Sequence, residues 1–289
     1  MQLTELLRYI NETHKTTFEL IEQYTAGEQG AFALSDRQGR RYVLKWRAGT
    51  DHISRLQEAR VVTDRLRGSG YPTPRYLLIG SALGGCYSIQ AALPGSPMDG
   101  VMMAFLPRLL ELNMLQVGQA VSGEHDWHSE AVNTVLFGGD GYCLHTSLQE
   151  YSQDTAELLH KLQVLVSAYK DEPHKTNDVV HGDFQPSNIL IHHQEISGII
   201  DWEAVSAGDC SFDITTLLFY SYDHLEVRKQ LWQYVLKLAT LNLLSVYIAH
   251  LILRQVDWSI RHHDEATIQR YINRSHALLK DITHSPGRS

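Results

Sequence analysis

Along the first ninety-odd residues the apolar positions alternate between two periods. Leu3 to Ile10 repeats at helical spacing and predicts a short amphipathic helix. Phe18–Ile21, Ala31–Leu34 and Tyr42–Trp46 read as strands, the last two joined by the turn Asp36-Arg37-Gln38-Gly39. Asp51 to Arg67 returns to helical period through Ile53, Leu56, Val61 and Leu66, with Asp51 as N-cap and Gly68 and Gly70 as stop signals. Two further strands follow, Arg75–Ile79 and Cys86–Ala91, and then the cluster Leu93-Pro94-Gly95-Ser96-Pro97, a candidate hinge. From Met102 onward the pattern is mainly helical, over 102–120, 148–170, 211–221, 225–256 and 264–282. A strand pair, Ile189–His192 and Ile196–Ile200, interrupts it. The fold class expected is therefore α+β and bilobal: a small antiparallel-sheet lobe over 1–93 and a larger, mainly helical lobe over 94–289.

Composition narrows the setting. A chain of 289 residues, 43% hydrophobic and 20% charged, is long enough to bury a core as one domain or two coupled lobes. The start has no basic or apolar leader pattern, which predicts a cytoplasmic location. The most apolar stretch, Leu231 to Leu253, carries Gln233, Lys237, Asn242 and His250, so a buried helix is expected there and no membrane association. Cys86, Cys143 and Cys210 are odd in number and widely spaced, with no disulfide framework or zinc pattern.

The net charge of -8 is uneven. Residues 1–95 hold 12 Lys and Arg against 9 Asp and Glu, a net of +3, and the remainder holds 13 against 24, a net of -11. An acidic second part argues against nucleic acid as partner and suits a cationic small molecule. Ordinary solvated surface is the plainer explanation of any one of these carboxylates.

The chemistry concentrates in His181-Gly182-Asp183-Phe184-Gln185-Pro186-Ser187-Asn188, followed by Ile200-Asp201-Trp202-Glu203. Phosphoryl transfer asks a protein for positioning and charge neutralisation: a cation on the phosphates, oxygen ligands on magnesium and a carboxylate at the attacking hydroxyl. Asp183, in a polar loop leading into a strand, is placed as the base or hydroxyl-orienting group. Asn188 and Asp201 are hard oxygen donors suited to Mg2+, and the hairpin between them would bring them together. Lys45 sits in an otherwise apolar strand, where a charge needs a reason. Glu58, mid-helix thirteen residues on, is expected to pair with it. Gly27 and Gly30, between two strands, would let backbone N–H groups approach phosphate. His181 is expected to support the loop, and the pairs His192-His193 and His262-His263 show no ligand spacing.

These residues resemble the aminoglycoside phosphotransferases and the wider kinase-like group that includes macrolide phosphotransferases and choline kinases, with matching motifs from Lys45 to Asp213. The resemblance implies a protein-kinase-like fold with ATP or GTP in the cleft between lobes. It implies Asp183 as catalytic base, Asn188 and Asp201 as magnesium ligands, Lys45 on the phosphates and Glu58 as its partner. It also implies a bracing role for Asp213 at the catalytic loop, and backbone groups of Ala91 and Leu93 at the purine edge. Trp202-Glu203 stands where protein kinases have Phe-Gly, and twelve residues from Asp201 to Asp213 leave no room for a peptide-docking segment. Glu203 either assists at the metal or pairs at the surface.

The function expected is an ATP- or GTP-dependent O-phosphotransferase acting on a small, cationic hydroxyl acceptor, first an aminoglycoside-like antibiotic. A macrolide, a tuberactinomycin-type peptide, choline or a sugar is the alternative acceptor, and a non-catalytic nucleotide-binding module or a protein kinase the alternative function. Asp209, Glu203, Asp223, Asp257, Asp264 and Glu265 are the candidate acceptor carboxylates.

Overall fold

The structure, a computed structural model, describes residues 3–24, 30–121 and 126–284. In chain order they form α1 (Leu3–His14), β1 (Glu19–Gln23), β2 (Ala31–Ser35), β3 (Arg41–Ala48), α2 (Ile53–Gly68), β4 (Tyr76–Ala82), β5 (Gly85–Ala91) and β6 (Ser96–Pro97). Then come α3 (Leu106–Met114), α4 (Trp127–Phe137), α5 (His145–Tyr151), α6 (Gln153–Tyr169), β7 (Asp178–Val180), β8 (Ile189–His192), β9 (Glu195–Ile199) and β10 (Ser206–Gly208). The chain ends in α7 (Ser211–Tyr220), α8 (Leu225–Leu238), α9 (Leu241–His262) and α10 (Glu265–His284). They divide into two compact units, residues 1–98 with 187–205, and residues 99–186 with 206–289.

In the first unit the sheet is antiparallel, in the order β1-β2-β3-β5-β4. Leu6 and Ile10, one turn apart on α1, are fully buried against Phe18, Phe32, Leu34, Tyr42, Leu44, Tyr87 and Ile89. Each such apolar side chain contributes roughly 1.5–3 kcal/mol by leaving water. Asp36 shapes the β2–β3 turn by accepting from the N–H groups of Gln38 and Arg40. Strand alternation then puts Tyr42 and Leu44 into the core under α1 and turns Val43 and Lys45 to the opposite face. On α2, Leu56, Ala59, Val62, Thr63 and Leu66 form its buried stripe, and the helix packs against the 3-10 turn Trp202–Ala204. Asp51 does not cap α2: the helix begins at Ile53 with His52 in the N-cap position and no capping side chain.

The β8–β9 hairpin belongs by compactness to this first unit, so the division differs from the expected boundary at 93/94. The physical cause is strand pairing, because Ser96 and Pro97 of β6 sit opposite Ile191 and Leu190 of β8, and Met98 N–H donates to the Ile189 carbonyl.

The second unit is built on α9. Its residues are buried nearly all round, and α4, α5, α6, α7, α8 and α10 pack against it. Trp127, Phe212, Tyr247 and His250 meet edge-on in this core. Helix ends depart from expectation where polar caps intervene. The stretch 225–256 breaks before Thr240, whose hydroxyl accepts from Leu243 N–H and starts α9. The stretch 148–170 is interrupted by the capping box of Ser152 and Thr155. Helix α3 covers only the middle of 102–120, and Asp126 caps the unanticipated α4 by accepting from Ser129 N–H. Cys86, Cys143 and Cys210 are buried free thiols. Among the described residues, no helix is long and apolar enough to cross a membrane.

Candidate active site

In the first unit, Lys45 Nζ donates to Asp201 Oδ1 at 2.8 Å and to Glu203 Oε1 at 3.0 Å. This corrects the expected Lys45–Glu58 pair. Glu58 is half-buried on α2, and the carboxylates that take Lys45 come from the turn after β9. It also removes a surface role for Glu203. Burial works against the Lys45 ammonium, but Glu203 and Asp201 outweigh it and hold its pKa above the ordinary value. Burial, aided by the neighbouring Asp201 carboxylate, pushes Glu203 up to about 8 against the pull of Lys45. Asp201 itself is left-handed, at φ +70° and ψ +58°, a strained conformation for a residue with a side chain.

The hairpin closes on the pair of residues it was expected to join. Ile200 N–H donates to the Asn188 carbonyl at 2.9 Å, so Asn188 lies at the foot of the hairpin beside Asp201. Asn188 is buried. Two carboxylates face one ammonium here, and Glu203 Oε2 is buried with no hydrogen-bond partner among the described residues. Hard oxygen donors gathered at one place fit a divalent cation such as Mg2+, held by few protein groups and completed by phosphate oxygens.

On the same unit, Ala91 N–H is committed to the Arg75 carbonyl at 2.8 Å, which leaves its own carbonyl as the group it can present. Leu93 lies over Gly198: a Cβ built there would stand 2.6 Å from Leu93 Cδ1 and 3.2 Å from Leu190 Cδ1. Gly30 is left-handed at φ +61°, whereas Gly27 lies outside the described residues.

In the second unit, Asp183 Oδ2 accepts from Gln185 Nε2 at 2.9 Å, and Arg254 Nη2 stands 3.4 Å from Asp183 Oδ1. Fully buried Asp213 accepts from His181 N–H at 2.8 Å, Gly182 N–H at 3.2 Å and Gln116 Nε2 at 2.6 Å. Burial dominates and pushes Asp213 up to about 7, although these donors favour its charged form. His181 is also fully buried, and its Nδ1 accepts from Asp183 N–H at 3.2 Å, which fits a supporting place in the loop.

The acidic acceptor candidates are largely engaged elsewhere. Asp209 is buried and accepts from the N–H groups of Ser211 and Lys175. Asp257, fully buried, is forked by Arg261 and bonded by Ser147. Asp264 accepts from Thr267 N–H at the start of α10, Asp223 pairs with Arg274, and Glu265 accepts from Tyr151. Helix ends, α9 packing and ion pairs account for these carboxylates without a ligand. Arg254 is the site residue the sequence reading missed. A lone arginine within the apolar run from Leu241 to Val256 was the available signal.

The chain is similar in sequence and in fold to known phosphotransferases. The chain is 24% identical over 248 residues to viomycin phosphotransferase of Streptomyces vinaceus, covering 72% of this chain and 79% of that one. It is 27% identical over 205 residues to streptomycin 3''-kinase of Streptomyces griseus, covering 67% and 75%. Its fold matches that of an aminoglycoside phosphotransferase solved in ternary complex with ADP and hygromycin B, with a TM-score of 0.71, 18% identity and coverage of 94% and 97%. It also matches choline kinase LicA from Streptococcus pneumoniae, with a TM-score of 0.66, 12% identity and coverage of 96% and 100%. Residues 21–241 match the sequence model of the phosphotransferase enzyme family. The fold is thus that of the kinase-like phosphotransferases, and the chain belongs to the phosphotransferase enzyme family as a small-molecule kinase.

Proposed function

We propose that this enzyme moves the γ-phosphoryl group of ATP or GTP to a hydroxyl of a small, polyhydroxylated cationic acceptor of the aminoglycoside class, in the cytoplasm. The observation that carries the reading is the braced loop at Asp183, with Asp213 on its N–H groups and Gln185 and Arg254 at its carboxylate. Asp183 acts as the base: it orients the acceptor hydroxyl and takes its proton as the hydroxyl oxygen bonds to phosphorus and the bond to the nucleoside diphosphate breaks. The loosely bonded transition state makes orientation the larger part of that work.

The first unit supplies the nucleotide side. Lys45 is the cation for the phosphates, and the segment with Gly27 and Gly30 is assigned to covering them. The Ala91 carbonyl and Leu93 N–H are assigned to the purine edge, with Gly198 giving Leu93 room to pack. Asn188 and Asp201 would hold Mg2+, with Glu203 as a further oxygen donor, and the ion supplies charge neutralisation on the phosphate oxygens when bound. Glu58 is left without a direct part in holding Lys45.

Similarity to viomycin phosphotransferase and streptomycin 3''-kinase, and the net of -11 beyond residue 95, favour a cationic acceptor. The first of these relatives also supports a tuberactinomycin-type peptide as a second acceptor class. The test is a panel of aminoglycosides, viomycin, a macrolide, choline and simple sugars, with labelled ATP and GTP and mass analysis of the product. Phosphate transferred to an aminoglycoside supports the reading, and turnover confined to choline or sugars sinks the acceptor assignment. In parallel, Asp183→Asn should lower kcat by a factor of about 100 or more while nucleotide still binds. Undiminished turnover would remove Asp183 from the base role.

A further inference from the structure

We propose that Arg254 is a positioning residue for phosphoryl transfer, holding the Gly182–Asp183 peptide in place and the Asp183 carboxylate aimed. The inference rests on the reading of Asp183 as the base.

Arg254 lies on α9 among residues that are otherwise apolar or buried, and its side chain is 17% exposed. A guanidinium removed from water costs several kcal/mol in this setting unless the protein returns the interactions it loses. Two of its nitrogens point at the loop. Nη1 donates to the Gly182 carbonyl at 2.7 Å, and Nη2 faces Asp183 Oδ1 at 3.4 Å. Nη2 is buried and makes no hydrogen bond within the described residues, so its interaction with Asp183 is electrostatic rather than a direct short bond.

The surrounding charges leave Asp183 as the partner. Asp257, one turn further along α9, is neutralised by the fork of Arg261 and by Ser147. Glu130 on α4 accepts from Tyr142. The remaining polar neighbours that act on Arg254 are Tyr220, Cys143 and Tyr142, all neutral near pH 7 because burial raises their pKa values. His250, one turn before Arg254, is held neutral by burial.

Gly182 explains why the peptide needs holding. At φ +80° it is in the left-handed region, and its N–H and C=O are taken from two different helices. Asp213 of α7 accepts the N–H, and Arg254 of α9 donates to the C=O. The Gly182–Asp183 peptide that aims Asp183 is thereby held at its C=O by Arg254 and at its N–H by His181 Nδ1, while Asp213 fixes the peptide before it. Gln185 holds Oδ2, so the guanidinium and the amide together limit rotation of the carboxylate. A phosphoryl-transfer base that works through orientation loses most when that rotation is freed.

The test uses the full chain and four variants: Arg254→Met, Arg254→Lys, Asp183→Asn, and Asp183→Asn with Arg254→Met. Arg254→Met is expected to lose about 100-fold in kcat with both KM values within about threefold, and added guanidinium to restore about tenfold. Combined with Asp183→Asn it should cost nothing further in kcat, because a residue acting through Asp183 has nothing left to act on. Where Arg254→Met does not fold, Arg254→Lys serves: it keeps the charge, loses the two-pronged grip, and should lose about tenfold in kcat. Full kcat in the Arg254 variants beside a collapsed Asp183→Asn overturns the proposal while leaving the base assignment standing. A loss that simply multiplies with that of Asp183→Asn overturns it as well, since a structural defect behaves that way. Full kcat in Asp183→Asn defeats the base reading first, and the role of Arg254 with it.

Discussion

Lys45 of β3 reaches Glu203, 158 residues away in sequence, and donates to Oε1 at 3.0 Å. The contact reassigns the carboxylate that steadies the lysine proposed for the phosphates. Glu203→Gln is therefore expected to raise the nucleotide KM by about tenfold, because it replaces the stronger carboxylate acceptor of a half-buried ammonium with an amide. Glu58→Gln should stay within about threefold. Steady-state kinetics on the two variants checks the ranking, and a larger effect at Glu58 would restore the helix partner.

Gly198 has no room for a side chain beneath Leu93 and Leu190. Gly198→Ala should push Leu93 upward and raise the nucleotide KM several-fold with kcat preserved. Titration with a fluorescent ATP analogue would read the loss directly. Unchanged nucleotide affinity would separate Leu93 from the purine site.

Asp213 carries a pH signature. Its pKa rises from the ordinary 3.8 to about 7 on folding, through burial. A carboxyl that binds its proton more tightly when folded stabilises the protein fully below pH 3.8, and this contribution is lost as pH rises through 7. The slope for one such group is at most about 1.4 kcal/mol per pH unit inside that window. Thermal melts of the wild type from pH 5 to pH 8 should include this fall, and Asp213→Asn should flatten it. An equal slope in the variant would place the dependence on other groups.

If the acceptor is a polycation drawn by the acidic second part of the chain, its KM should rise as salt goes from about 0.05 to 0.5 M, while the KM of a neutral acceptor stays level. Among the described acidic candidates, Asp209, Asp257 and Asp264 are occupied by backbone or side-chain donors, so the expected slope is modest. A salt-independent KM would leave shape and hydrogen bonding as the basis of recognition.

The sheet lobe was readable because short-range rules govern it. Alternation in Tyr42–Trp46 puts Leu44 in and Lys45 out, and Asp36 to Gly39 holds both turn and register. The helical part was readable in kind and less so in boundaries. Thr240 and Ser152 end one helix and begin another through a side-chain oxygen on a backbone N–H, a choice that periodicity does not report. Asp51 shows the converse, a good capping residue that the chain does not use.

By itself the sequence determined the reaction type. His181 through Asn188 and Asp201 are close in the chain, and a hairpin of that length has few ways to join its ends. Tertiary structure alone decided which carboxylates meet Lys45, which acidic residues are already spent on helix ends and ion pairs, and that Arg254 faces Asp183. The pairings of Lys45 and Arg254 span 71 residues or more, and the packing of whole elements sets them. Spacing along the chain tells which face a side chain occupies, and only the packed fold tells what stands opposite.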